Sequence, residues 1–401
     1  MIPAPEELAR HYSRFRVGDR VLLTGHSHQA WPDVGFDAQV RAWQDAADLV
    51  DEKWEAAYQE ADRVRATWRR LLGDDGSGEI ALGANTHELV VRFLSALPLD
   101  RRPRLVTTDA EFHTIRRQLD RLGETGWVEV VKVGARPVEQ VAERLAVAVN
   151  DRTAAVLVSS VYYATAEVVG GLADVAEACD RHGAELLVDS YHHLNALPFS
   201  LTEGGLRRAW VVGGGYKYCQ FGEGNCFLRF PADPEARPVY TGWFSESAEM
   251  AAGHAPGQVP YGKGPARFAG ATYDPVSHYR AAAVSDFFVE QGLTPEVLRS
   301  ISQRQVGRLA QGVAALVGSD ALPALRRGVG GVGGFLAIEL GEGNGAGGTR
   351  RPDAATVRQR LRAAGIFTDH RGPLLRLGPA PYVSDRQLDD AVVALGEALA
   401  G

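Results

Sequence analysis

Between residues 104 and 212 the chain alternates short apolar runs with helix-period segments, a pattern that few architectures accept. Apolar runs cover 104–108, 128–133 and 154–160, helical periodicity covers 138–149 and 173–181, and two further apolar runs end at Asp189 and Val212. Strands buried on both faces form a parallel sheet covered by helices, whose ligands sit beyond the carboxyl ends of the strands. Asp109, Ser159 and Asp189 stand at such ends. At 401 residues the chain exceeds the usual single core. The expected division is an extended N-terminal arm over 1–35, a large α/β domain over 36–275 and a small α+β domain over 276–401.

Residues 186–230 carry the chemistry. One apolar run delivers Asp189, with His192 three residues on; the next ends in Gly213-Gly214-Gly215 and then Tyr216-Lys217-Tyr218. A lysine that condenses with an aldehyde must be neutral part of the time, and burial among glycines and aromatics lowers its pKa. Lys217 has that setting. A pyridine ring serves as an electron sink when an anion keeps its nitrogen protonated, and Asp189 supplies one. The pair therefore points to pyridoxal 5'-phosphate (PLP). A surface Gly-Tyr-Lys loop is the ordinary alternative, and Asp189-x-x-His192 on its own strand end argues against it. The glycines lead into Tyr216-Lys217 rather than a capped helix, which is not a dinucleotide fingerprint.

Asp189-x-x-His192, Tyr216-Lys217, Gly242-Trp243 and Arg376-x-x-Pro379-x-Pro381, with a weaker echo in Gly25-x-Ser27, resemble the kynureninase branch of the class V, fold-type I PLP enzymes. The resemblance implies a large domain with a mostly parallel sheet covered by helices, a small C-terminal domain and a homodimer. Lys217 is then the cofactor lysine, Asp189 the partner of the ring nitrogen, and His192 a support for Asp189 or the ring hydroxyl. Phe112, after Glu111, takes the position of the ring that stacks on the cofactor. Asn85 and Thr86 begin a helical run whose N-terminus suits a phosphate. Tyr216 and Trp243 are further phosphate candidates, and Thr272 resembles a threonine reaching the partner subunit's phosphate. Gly25-His26-Ser27 resembles a Gly-Asn-Ser segment close to the substrate, so His26 and Ser27 are substrate-contact candidates, as is His28; surface placement is the alternative. Arg376, a planar cation within an apolar strand, requires an anion, and the substrate α-carboxylate is the expected one. Where kynureninases carry an aspartate near the cofactor, this chain has Ile115. His113 is either an acid-base group or a surface residue.

The implied reaction is Cβ–Cγ cleavage of a kynurenine-like amino acid, with a class V aminotransferase or a β-eliminating C–S lyase as alternatives. A formal charge of −7 supplies no broad basic surface for nucleic acid or anionic lipid, and the absence of a long apolar run or leader-like start leads to a cytoplasmic expectation. Cys179, Cys219 and Cys226 have no metal-ligand spacing, and no cysteine occurs late in the chain, where desulfurases place their persulfide carrier.

Overall fold

The computed structural model describes residues 3–232, 236–246, 257–341 and 352–400. In chain order the strands are β1 (Val21–Leu22), β2 (Gly78–Gly83), β3 (Arg104–Thr108), β4 (Glu129–Val133), β5 (Thr153–Ser159), β6 (Glu185–Asp189), β7 (Trp210–Gly214), β8 (Cys226–Pro231), β9 (Leu336–Glu339), β10 (Ile366–Phe367), β11 (Asp369–Arg371) and β12 (Leu374–Leu377). The large sheet has the order β2-β8-β7-β6-β5-β3-β4. Its strands β4, β3, β5, β6 and β7 are parallel, while β8 runs antiparallel to both β7 and β2.

This topology collects the functional segments at one edge. Ser159 is level with Asp189, Asp189 with Val212, and both Gly83 and Gly214 with Cys226. The chain leaving β2 at Asn85, β3 at Phe112, β6 at Asp189 and β7 at Lys217 therefore emerges on the same side. Every residue of β5 is buried, as a central strand with helices on both faces requires.

Residues 36–72, in which Trp43, Leu49, Trp54, Tyr58, Val64 and Trp68 recur near the helix period, form two helices, Val34–Leu49 and Lys53–Leu71, rather than one. Val50, at a positive φ of 53°, ends the first and begins a short 3-10 turn. Val64 and Trp68 enter the core, but Trp43 is 79 % exposed, so only part of that aromatic stripe is buried. Helix Val276–Glu290 packs against both.

The N-terminal arm is not simply extended. It carries a short helix, Pro5–Ala9, and a 3-10 turn, Arg10–Phe15, before β1 pairs in parallel with β10. Strands β11, β12 and β9 form a small antiparallel sheet, accompanied by helices Pro295–Val317, Ala354–Ala363 and Asp385–Ala400. The glycine-rich stretch of sequence over 341–352 lies almost wholly outside the described residues. Among the described residues no helix is long and apolar enough to cross a membrane.

Candidate active site

A cavity of about 460 Å³ opens at the functional edge of the sheet, lined by Asn85, Thr86, Phe112, Ser159, Tyr163, Asp189, Tyr191, His192, Tyr216, Lys217 and Cys226 among others. Lys217 reaches it because the turn after β7 is nearly free of side chains. A Cβ at Gly214 would sit 2.6 Å from Tyr191 Oη, and one at Gly215 would sit 2.7 Å from Phe221 Cβ. Glycine at both positions lets the backbone pass, and the first bulky side chains after it are Tyr216 and Lys217.

Lys217 is 6 % exposed and ringed by aromatics, its Nζ lying 4.5 Å from the Tyr191 ring centroid and 5.6 Å from that of Phe112. Burial pushes its ammonium down to about 7, against the opposing charge of Asp189 and with help from Arg376 and Arg371. Its Nζ is 2.7 Å from His192 Nε2. Burial, and then the Lys217 charge, hold His192 well below its ordinary pKa. The imidazole is neutral, so whenever Lys217 is an ammonium, with donors only, His192 Nε2 accepts from it and the ring proton resides on Nδ1.

Asp189 accepts from the Tyr191 backbone N–H at 2.9 Å. Burial raises its carboxyl, while that hydrogen bond and the Lys217 charge work the other way. Phe112 is held by its neighbour Glu111, which accepts from the Ser159 N–H at 3.0 Å, the Ser159 hydroxyl at 2.5 Å and the Thr108 hydroxyl at 2.7 Å. The ring-bearing loop is thereby pinned to the ends of β3 and β5. Burial raises Glu111 to about 7 in spite of those donors. Asn85 caps helix Thr86–Ala96 by accepting from the Glu88 N–H at 2.9 Å, which directs that helix N-terminus at the cavity.

These residues fit the expected cofactor. Among the described residues His192 Nδ1 is a buried polar atom with no hydrogen-bond partner, a buried carboxylate and a deprotonatable lysine face one cavity, and a helix N-terminus stands at its rim. Such a donor set suits a flat ring with an aldehyde at one side and an anion at the other.

The remaining expected site residues lie outside this chain's cavity lining. Arg376 does not line the cavity, and its anion is a protein group: Nε donates to Asp369 Oδ1 at 2.8 Å, Nη2 to Asp369 Oδ2, and Nη1 to the Tyr163 carbonyl. The cross-strand register of β11 and β12 places Asp369 directly opposite Arg376. His26 is fully buried with its Nε2 2.7 Å from Asp369 Oδ1, and Ser27 bonds the Thr24 carbonyl; neither lines the cavity. Trp243 and Thr272 are exposed and bonded to each other at 3.3 Å, also outside the cavity lining. Ile115 is completely buried in the apolar cluster with Leu119 and Phe93, while its neighbour Thr114 takes the cavity wall. His28, exposed, stacks on Tyr216 at 5.1 Å and pairs with Glu223 at 3.2 Å. His113 is exposed and bonded to Arg116 at 3.1 Å.

Tyr163, Tyr191 and Cys226 line the site without having been expected there. The position of Tyr191 two residues after Asp189 was the one available signal.

No protein-family model and no curated protein matches the chain. Solved structures do. A C-DES mutant with glycine covalently linked to its PLP cofactor superposes with a TM-score of 0.80 at 17 % identity, covering 97 % of this chain and 98 % of that one. C-DES described as a cystine C–S lyase, in complex with its product cysteine persulfide, gives 0.78 at 16 %, covering 95 % and 98 %. The apo cysteine desulfurase of Thermococcus onnurineus NA1 gives 0.80 at 14 %, covering 100 % and 99 %. The chain has the fold-type I architecture. That likeness is one of fold, and these neighbours are lyases and desulfurases rather than the kynureninases that the motifs resemble.

Proposed function

We propose that the protein is a PLP-dependent enzyme acting on an α-amino acid, and that its reaction is β-elimination of a C–S bond. The observation that carries the cofactor assignment is Lys217 Nζ, buried at the cavity wall, 2.7 Å from a neutral His192 and sharing the lining with Asp189. The fold likeness to a cystine C–S lyase supports the choice of reaction.

Bound there, PLP supplies the electron sink that stabilises negative charge at the substrate Cα. Lys217 would hold the cofactor, and its amine is placed to take the Cα proton of a bound substrate. His192 Nε2 keeps the amine of Lys217 pointed into the cavity. Asp189 would supply the counter-charge for the ring nitrogen, Phe112 would cover the ring and exclude water, and Asn85 and Thr86 would offer the helix end to the phosphate. Arg376, which stands behind the lining residue Tyr163 and is paired with Asp369, would offer the α-carboxylate the N–H groups that Asp369 and Tyr163 leave over. The C–S bond breaks with its electron pair going to sulfur, which takes up a proton. Hydrolysis of the remaining fragment gives pyruvate and ammonia.

A persulfide-carrying desulfurase is disfavoured by the cysteines. All three are buried, and burial raises each thiol, that of Cys226 at the cavity to about 12. Kynureninase-like Cβ–Cγ cleavage is the second reading, favoured by Asp189-x-x-His192 and Arg376-x-x-Pro379-x-Pro381. The test is to incubate PLP-loaded protein with L-cystine, S-alkyl cysteines and L-kynurenine. Pyruvate and ammonia from the sulfur substrates support elimination; alanine with anthranilate from kynurenine moves the assignment to the second reading. Absence of a visible PLP band that depends on Lys217 rejects both.

A further inference from the structure

The carboxylate clamp has a second layer. Arg376 carries five N–H donors. Three are engaged by Asp369 and the Tyr163 carbonyl, which leaves two for an incoming acceptor. The orientation of those two depends on how Asp369 is held, and Asp369 is held from the far side by His26. We propose that His26 is a positioning residue: its donation to Asp369 fixes that carboxylate, and through it turns the guanidinium of Arg376 toward an amino acid's α-carboxylate. This rests on the reading of the cavity as a PLP site for amino acids.

The geometry is built for the purpose. His26 is 0 % exposed, and its Nε2 lies 2.7 Å from Asp369 Oδ1, the same oxygen that Arg376 Nε approaches at 2.8 Å. A carboxylate offers only acceptors, so Nε2 carries the proton. The Phe335 ring packs over the imidazole at 4.5 Å between centroids, and Phe335 lies 5.5 Å below the Arg376 guanidinium. Gly378, two residues after Arg376, closes the other side, where any Cβ would collide with His26 Nδ1. The backbone ties the same parts together: Gly25 N–H donates to the Gly378 carbonyl and Gly378 N–H to the Leu23 carbonyl, each at 2.8 Å. The N-terminal arm thus delivers one side chain onto the counter-ion of the small-domain arginine. A histidine kept only for packing would not need its Nε2 aimed at a carboxylate already bound to a cation.

The experiment uses PLP-loaded full-length protein and two probes, L-alanine and ethylamine, which share an amine and differ in the carboxylate. Their dissociation constants are read from the change in the visible cofactor band, with PLP affinity and thermal midpoint measured alongside. His26→Leu keeps the bulk and removes the donor; His26→Gln places an amide N–H near the position of Nε2. The expected result is a loss of about tenfold or more in L-alanine affinity for His26→Leu, the scale of a hydrogen bond to a charged group. Ethylamine and PLP affinities should stay within about twofold, and His26→Gln should recover most of the loss. Equal losses for both probes, or none for L-alanine, overturn the proposal. If His26→Leu does not fold, unaltered L-alanine selectivity in Asp369→Asn overturns it. Wild-type protein that binds ethylamine as well as L-alanine refutes the clamp, and the proposal with it. Protein that responds to neither probe refutes the underlying PLP reading instead.

Discussion

Lys217 Nζ and His192 Nε2 are 2.7 Å apart in a buried, aromatic-walled site, and the histidine is neutral. The imidazole therefore shares a hydrogen bond with the amine without adding charge, and the lysine stays poised near neutrality rather than fully protonated. Its pKa of about 7 makes the reactive amine a function of pH across the physiological range. The rate at which apo protein takes up PLP should rise through about pH 7 and level off above about pH 8, following the neutral fraction of the amine. Stopped-flow absorbance measures it. A rate independent of pH over that interval contradicts the assignment of Lys217 as the condensing amine.

Glu111 is one residue from Phe112 and bridges two strand ends through three hydrogen bonds. Glu111→Ala should release that loop and weaken PLP binding by about tenfold, with Glu111→Gln milder because an amide retains part of the bonding. Equilibrium titration of the visible band provides the measurement. Unchanged affinity in the alanine variant would mean that Phe112 is held by other contacts.

Stability should fall on mild acidification, and the sign follows from counting protons. Burial depresses His26 and His193 to about 4 and His278 to about 3, and holds His192 well below its usual value. Between about pH 6.5 and pH 4 the unfolded chain protonates these imidazoles and the native chain does not, which favours unfolding. Glu111 and Asp189, raised by burial, act in the opposite direction over part of that range. Four imidazoles outweigh two carboxyls, and moving a single pKa by one is worth about 1.4 kcal/mol. Urea midpoints should therefore drop by an amount equivalent to a few kcal/mol between about pH 7 and about pH 5. A midpoint that rises instead would place the balance with the carboxyls.

Beneath the sheet, Arg229 and Asp74 form a fully buried pair, with Nε donating to Asp74 Oδ2 at 2.9 Å and Nη1 to the Ala209 carbonyl at 2.9 Å. Removing one partner leaves the other charge desolvated and alone. Arg229→Met should cost about 3–5 kcal/mol in denaturant unfolding. Asp74→Asn in the same background should return part of the loss. A single variant within about 1 kcal/mol of wild type would indicate that water or a neighbour replaces the pairing.

The edge of the large sheet was legible because alternation and strand-end chemistry are local properties. Asp189, Phe112, Asn85 and Lys217 each sit at the end of a recognisable run, and a parallel sheet gathers such ends whatever the intervening residues do. The small domain was not legible in the same way. Asp369 neutralises Arg376 through cross-strand register, and His26 reaches that pair from 343 residues away in sequence. Ile115 illustrates the converse error. Read as a position facing the cofactor, it instead follows the period of helix His113–Glu124 into the core, one step past Thr114.

Trp243 and Thr272 set the last prediction. Both are exposed and pair with each other outside the cavity lining, which is unproductive for a phosphate contact within one chain but suitable for presentation to a second copy. Exposed apolar residues on Val34–Leu49 and at Val239 and Tyr240 add surface that a partner could cover. We expect a symmetric homodimer whose two sites each draw Lys217 from one chain and Thr272 from the other. Sedimentation equilibrium tests the assembly, and subunit mixing tests the sharing. Lys217→Ala and Thr272→Arg should each be inactive alone, the arginine by obstructing the neighbour's site. Random reassociation of equal amounts makes half of the dimers mixed. Each mixed dimer then holds one site with both wild-type residues, so about a quarter of wild-type activity should return. If Thr272 serves its own chain, every site in the mixture still carries one defect, and no activity returns.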